Sequence, residues 1–117
     1  MSDSTILYHN PRCSKSRAAM DLITEKGIEA NVVKYLDTPP DSTAINEILD
    51  MLGMEPRDLM RKGEQAYKDN NLSDESLSKQ QLIEAMVNNP ILIERPIVVK
   101  DGKAAIGRPI ENIIAIL

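Results

Sequence analysis

The chain contains no phenylalanine and no tryptophan, and its aromatic content is three tyrosines, Tyr8, Tyr35 and Tyr67. Its core must therefore be aliphatic, built from Ile, Leu, Val and six Met, and a platform for stacking unpaired bases is missing. Thiols and imidazoles are as scarce, with one cysteine, Cys13, and one histidine, His9. A single thiol closes no internal disulfide, and one Cys with one His cannot complete a four-ligand zinc site, so no bound metal is expected. Any redox chemistry at Cys13 must borrow its second thiol from another molecule. Positive charge is not in excess either: a net charge of -4 argues against a general grip on nucleic acid or on an anionic membrane surface. No apolar run is long enough to span a bilayer, and "MSDSTIL" shows no basic segment leading into an apolar one, so the expected location is the cytoplasm.

What is present reads as one α/β domain over residues 1-117. "TILYH", Thr5 to His9, suits a buried strand, and Ser14 to Lys26 a helix with Ala19, Leu22 and Ile23 on one face and Gly27 as its stop. "NVVKYL", Asn31 to Leu36, is expected as a second strand of the buried kind. Strand, helix and strand imply a right-handed unit with parallel strands. Residues 41-90 read as a broken helical insertion. Asp41 or Ser42 can cap Ile45, Ile48, Leu49 and Leu52, and a Ser78-Gln81 capping box precedes Leu82, Ile83, Met86 and Val87. "PIVVKDGKAAIG" places two apolar runs around Asp101-Gly102, a hairpin signal, and Pro109 is expected to open a last helix with an Ile110, Ile113, Ile114 and Leu117 stripe. Periodicity leaves several α/β topologies open. The order β-α-β, helical block, β-β-α is that of a thioredoxin-like fold with a mixed four-stranded sheet.

The rare residues meet in "YHNPRCSKSR", Tyr8 to Arg17. This places Cys13 where the first strand turns into the first helix, at unpaired backbone N-H groups and a partial positive charge. With Arg12, Lys15 and Arg17 nearby in sequence, the thiol pKa is expected to fall from about 8.5 toward roughly 3.5 to 7.5. His9 could bond to the thiolate or orient the loop, and as a cation would lower that pKa further. Ser16 could donate to the Cys13 sulfur but cannot resolve a mixed disulfide. Taken alone, Cys13 could equally be a buried structural thiol, His9 a strand-end residue, and Arg17 a solvated one.

The stretch resembles the active-site loop of the glutaredoxin-coupled arsenate reductases, whose pattern is His-Asn-Pro-x-Cys-x-x-Ser-Arg. "YLDTPP", "LMRK", "LIERPIVV" and "GRP" resemble further landmarks of that family in its order, so the likeness covers essentially the whole chain. It implies Cys13 as the nucleophile that forms a thiol-arsenate adduct, with His9 supporting it. It implies that Arg61, Arg95 and Arg108 surround the oxyanion, that Asn10, Ser16 and Arg17 complete the loop, and that Pro96 is the cis-proline opposite the cysteine. Glutathione would resolve the adduct and glutaredoxin would release the glutathione, with no bound cofactor and nothing that demands more than a monomer. Arg12 stands where the plasmid members carry a small residue, and the chain stops at its last helix, which points to a short housekeeping branch. Two other readings stay open. One is an Spx-like interaction protein that binds RNA polymerase, suggested by "RPI" at Arg95 to Ile97. The other is a general glutathione-linked thiol oxidoreductase, for which three arginines would be superfluous.

Overall fold

A computed structural model describes residues 5-117; the Met1 to Ser4 part of the amino-terminal stretch read for a leader lies outside them. The chain divides into two compact units, Met1–Thr38 with Arg95–Leu117, and Pro39–Glu94. The first unit holds strand β1 (Thr5–His9), helix α1 (Ser14–Glu25), strands β2 (Ala30–Lys34), β3 (Ile97–Lys100) and β4 (Lys103–Ile106), and helix α5 (Glu111–Ile114). The second holds α2 (Ser42–Leu52), α3 (Gln65–Asp69) and α4 (Lys79–Asn88), with 3-10 turns at Pro56–Leu59 and Pro90–Leu92.

The four strands run in the order β2-β1-β3-β4. β1 pairs with β2 in parallel and with β3 antiparallel, and β3 and β4 form the hairpin, the mixed sheet of a thioredoxin-like fold. At the hairpin tip Asp101 and Gly102 have φ of 51° and 79°, the pair of positive values that a tight two-residue turn needs. Burial alternates along β1, with Thr5, Leu7 and His9 buried and Ile6 and Tyr8 half-buried. Leu7 packs with Val98 and Ala105 of the sheet, Ala19 and Ile23 of α1 and Ile113 of α5. Each large aliphatic side chain in that cluster contributes about 1.5–3 kcal/mol by leaving water. α1 ends where Gly27 takes a φ of 69°, which lets the Ile28 amide reach the Ile23 carbonyl and that of Gly27 the Thr24 carbonyl. That crossed pair closes the helix and turns Ile28 back onto the core.

Two expectations are corrected. The second strand stops at Lys34, two residues early, and is half-exposed, because β2 is an edge of the sheet. The amides of Asp37 and Thr38 turn back onto the Lys34 carbonyl, so Tyr35 is buried and Leu36 exposed outside the ladder. The last helix is one turn, begins after Pro109, and buries Ile113 fully while Ile114 faces solvent; so short a helix cannot present a four-residue stripe.

In the second unit Asp41 caps α2 by accepting from the Ala44 amide. The expected Ser78-Gln81 capping box opens α4, each side chain bonded to the other's backbone amide. α2 packs on α4 through a core that includes Ile45, Ile48, Leu49, Leu82, Ile83 and Met86. Arg57 ties the Pro56–Leu59 turn to the Leu72 and Asp74 carbonyls. No helix among the described residues is long and apolar enough to cross a membrane.

Candidate active site

Cys13 is the residue that caps α1 at its amino end, with an extended backbone and a partly exposed thiol. Its loop is held from within. The Cys13 amide donates to the Asn10 carbonyl, and the Arg12 amide to Asn10 Oδ1, both at 3.0 Å, while Arg17 Nη1 donates to the Pro11 carbonyl at 2.9 Å.

Register carries the arginines to this edge. Tyr8 pairs with Ile97 and Ile97 pairs with Ile106, so the residues before β3 and after β4 lie beside the end of β1. The peptide bonds Arg95-Pro96 and Arg108-Pro109 are both cis. Arg108 Nη2 donates to Cys13 Sγ at 3.4 Å, and Arg108 Nε to the Arg95 carbonyl at 2.8 Å. Arg95 acts on the thiol through a hydrogen bond and through its charge. Its Nε and Nη1 are buried and have no acceptor among the described residues.

Burial pushes the Cys13 thiol up, but the backbone N-H groups of Ser16 and Lys15 and the Arg95 guanidinium outweigh it, so the thiol lies below its ordinary pKa. The helix-end contribution is the one read from the sequence; the acting cation is not. Arg12, Lys15 and Arg17 are exposed, and the charge that lowers the thiol belongs to Arg95.

Ser16 differs from its expected bond to the sulfur, and His9 takes the loop-orienting one of the two roles open to it. Ser16 is fully buried; its hydroxyl accepts from the Asn10 amide at 3.0 Å and shares a 2.7 Å hydrogen bond with His9 Nδ1. The side chain thus holds the loop, and only the backbone N-H of Ser16 serves the thiol. Burial, then the charges of Lys34 and Arg17, hold His9 below its ordinary pKa, so the imidazole is neutral at pH 7 and lends the thiolate no positive charge. This has a consequence for stability. The unfolded chain takes up a proton at His9 near pH 6.5 while the native chain does not, so native stability drops as pH falls through 6.5 toward the lower native value. In urea titrations between pH 7.5 and pH 5, His9→Gln should flatten that loss; an unchanged slope would refute it.

Arg61 belongs to the helical unit, where Nη1 pairs with Glu64 at 2.6 Å and Nε with Glu94 at 3.7 Å. Among the described residues no cluster of His, Cys, Asp and Glu is suited to a metal ion. Gly107 was missed in the sequence. It is buried, its amide donates to the Pro96 carbonyl at 2.9 Å, and a Cβ there would fall 2.5 Å from Ile113 Cδ1 and 2.8 Å from Pro96 Cγ. Its place beside Pro109 in "GRP" was the only available signal.

The arrangement is a thiol biased toward its anion, beside two guanidinium groups, of which Arg95 holds two buried nitrogens with no acceptor among the described residues. It suits nucleophilic attack on a centre that carries negatively charged oxygens. Comparisons with known proteins agree with the chemistry. Residues 8–116 match the ArsC family. The chain is 52% identical over 118 residues to the uncharacterized protein YfgD of Escherichia coli K12, covering 100% of this chain and 99% of that one. It is 51% identical over 112 residues to an arsenate reductase of Neisseria meningitidis, covering 95% and 96%. The solved structure of an arsenate reductase from Vibrio cholerae superposes with a TM-score of 0.95 at 45% identity, covering 100% of both chains. The thiol loop, the sheet that brings two arginines to it and these likenesses agree, and the chain belongs to the ArsC family.

Proposed function

We propose that this chain reduces arsenate to arsenite, with Cys13 as nucleophile, His9 and Ser16 as supports of its loop, and glutathione and glutaredoxin as the external reductants. The observation that carries the reading is Arg95: two buried donor nitrogens without an acceptor among the described residues, on a guanidinium that already acts on the thiol. Buried donors left unpaired cost about 1–3 kcal/mol each, and a tetrahedral oxyanion removes that cost by accepting from them.

In the first step the Cys13 thiolate attacks arsenic. An S-As bond forms, an As-O bond breaks, and the oxygen leaves as water after taking up protons. Arg95 and Arg108 offset the charge gathering on the remaining oxygens. A glutathione thiolate then attacks Cys13 Sγ. The S-S bond forms and the S-As bond breaks with its electron pair passing to arsenic, so As(V) becomes As(III) while two thiols become a disulfide. A glutaredoxin thiolate removes the glutathione and restores Cys13. The lone thiol of the chain supports an external route, since no resolving cysteine is present.

The test is arsenate-dependent NADPH oxidation by the purified protein with glutathione, glutaredoxin and glutathione reductase. Turnover should saturate with arsenate and stop when either glutathione or glutaredoxin is left out. No arsenate-dependent oxidation above the protein-free rate would overturn the assignment, and turnover without glutaredoxin would overturn the coupling.

A further inference from the structure

Of the glycines, Gly27, Gly53 and Gly102 combine positive φ with open space around an added Cβ; they serve chain direction. Gly107 is different. Its φ lies outside the left-handed range, yet a Cβ would meet Ile113 Cδ1 at 2.5 Å, Pro96 Cγ at 2.8 Å and Ile113 Cγ1 at 3.4 Å. Space, not backbone conformation, requires glycine here. The two sides that approach through this gap carry the arginines of the thiol site, Arg95 before Pro96 and Arg108 after Gly107. Three hydrogen bonds join them in series: the Gly107 amide to the Pro96 carbonyl, Arg108 Nε to the Arg95 carbonyl, and Arg108 Nη2 to Cys13 Sγ.

We propose that Gly107 is a positioning residue for the thiol site, whose missing side chain lets the Arg95-Pro96 and Arg108-Pro109 segments close on each other so that both guanidinium groups face Cys13. An added methyl group meets two neighbours of unequal give. The Ile113 tip is the end of a rotatable side chain. Pro96 is a ring in the main chain, bonded directly to Arg95, and its carbonyl is tied to Gly107. The displacement therefore passes to Arg95, and through its carbonyl to Arg108. The inference rests on Cys13 as the working thiol; it does not depend on which oxyanion that thiol meets.

The experiment is the pH dependence of Cys13 alkylation by iodoacetamide, followed by mass spectrometry, with folding checked by circular dichroism. In Gly107→Ala the midpoint should move up by about one unit, read as up to tenfold slower alkylation well below the midpoint. Ile113→Val removes the Cδ1 atom, so Gly107→Ala/Ile113→Val relieves the nearer contact and leaves the one with Pro96. That double variant should fold better than Gly107→Ala while its midpoint stays raised, and Ile113→Val alone should leave the midpoint unchanged. If Gly107→Ala does not fold, the double variant carries the test. A wild-type midpoint in a folded Gly107→Ala, or its return in the double variant, would overturn the proposal by making Gly107 a packing residue only. Loss of arsenate turnover has no bearing on this result.

Discussion

Cys13→Ser should abolish arsenate-dependent turnover, a loss on the order of 10³-fold or more, while leaving the far-ultraviolet spectrum unchanged. The hydroxyl occupies the same helix end but stays protonated there, so the N-H groups of Lys15 and Ser16 and the Arg95 guanidinium, which hold the thiol below its ordinary pKa against burial, have no anion to act on. The cost to the fold is small because the thiol is partly exposed. The same pair of proteins gives a stability test with a defined sign. A thiol whose native pKa lies below its unfolded value releases its proton first in the native state, so the native chain gains stability as pH rises between the two values. That gain is complete above about pH 8.5 and is lost as pH falls through the native value. Wild type should therefore gain on Cys13→Ser in urea unfolding from pH 6 to pH 9. A constant difference would mean that the thiol is not held as an anion. Retention of more than about one hundredth of the activity, against the loss expected for a nucleophile, would remove Cys13 from that role.

The second large effect belongs to Arg95→Ala. Loss of one preorganised donor to a developing oxyanion typically costs about 10²–10³-fold, about 2.7–4 kcal/mol, and kcat/KM for arsenate should fall by that much. Arg12→Ala, which changes an exposed side chain, should stay within a few-fold. Stability should move the other way. Wild type keeps two buried donor nitrogens of Arg95 without acceptors among the described residues, a cost of about 1–3 kcal/mol each, and the variant removes both. In buffer without oxyanions Arg95→Ala should unfold at the same temperature as wild type or higher. Added sulfate, phosphate or arsenate should raise the wild-type Tm and leave that of the variant in place. Equal stabilisation of the two proteins would show that Arg95 does not hold the anion. Unchanged activity of Arg95→Ala on a glutathione mixed disulfide, together with no wild-type activity on arsenate, would favour a general thiol oxidoreductase instead.

Local features of the fold were legible because their causes are local. β1 was read at its observed bounds, and α1 to within a residue, because the Gly27 stop lies just past the helix's last turn. The Asp101-Gly102 turn and the Ser78-Gln81 box are signatures within four residues. The errors were equally physical. Apolar "NVV" does not reveal whether its strand has one neighbour or two, and edge position is what leaves β2 half-exposed. For the site, the local pattern placed Cys13 at a helix end with Arg12, Lys15 and Arg17 as its nearby cations, while Arg95 and Arg108, near in space, were named by the family likeness. Arg61, named by the same likeness, is held between Glu64 and Glu94.

Composition and local pattern establish a chain with one usable thiol, at a strand-to-helix turn whose amides favour an anion, and with no second cysteine to complete a redox cycle. What stands around that thiol follows from long-range packing. Arg108 is 95 residues from Cys13 along the chain, and the antiparallel register of β1 with β3 and of β3 with β4 delivers it and Arg95 to one edge. The same packing buries His9, so that it stands as a neutral partner of Ser16 and not as a cation beside the thiolate. It also requires a glycine at position 107, where only the close approach of two segments distant from Cys13 in sequence excludes a side chain.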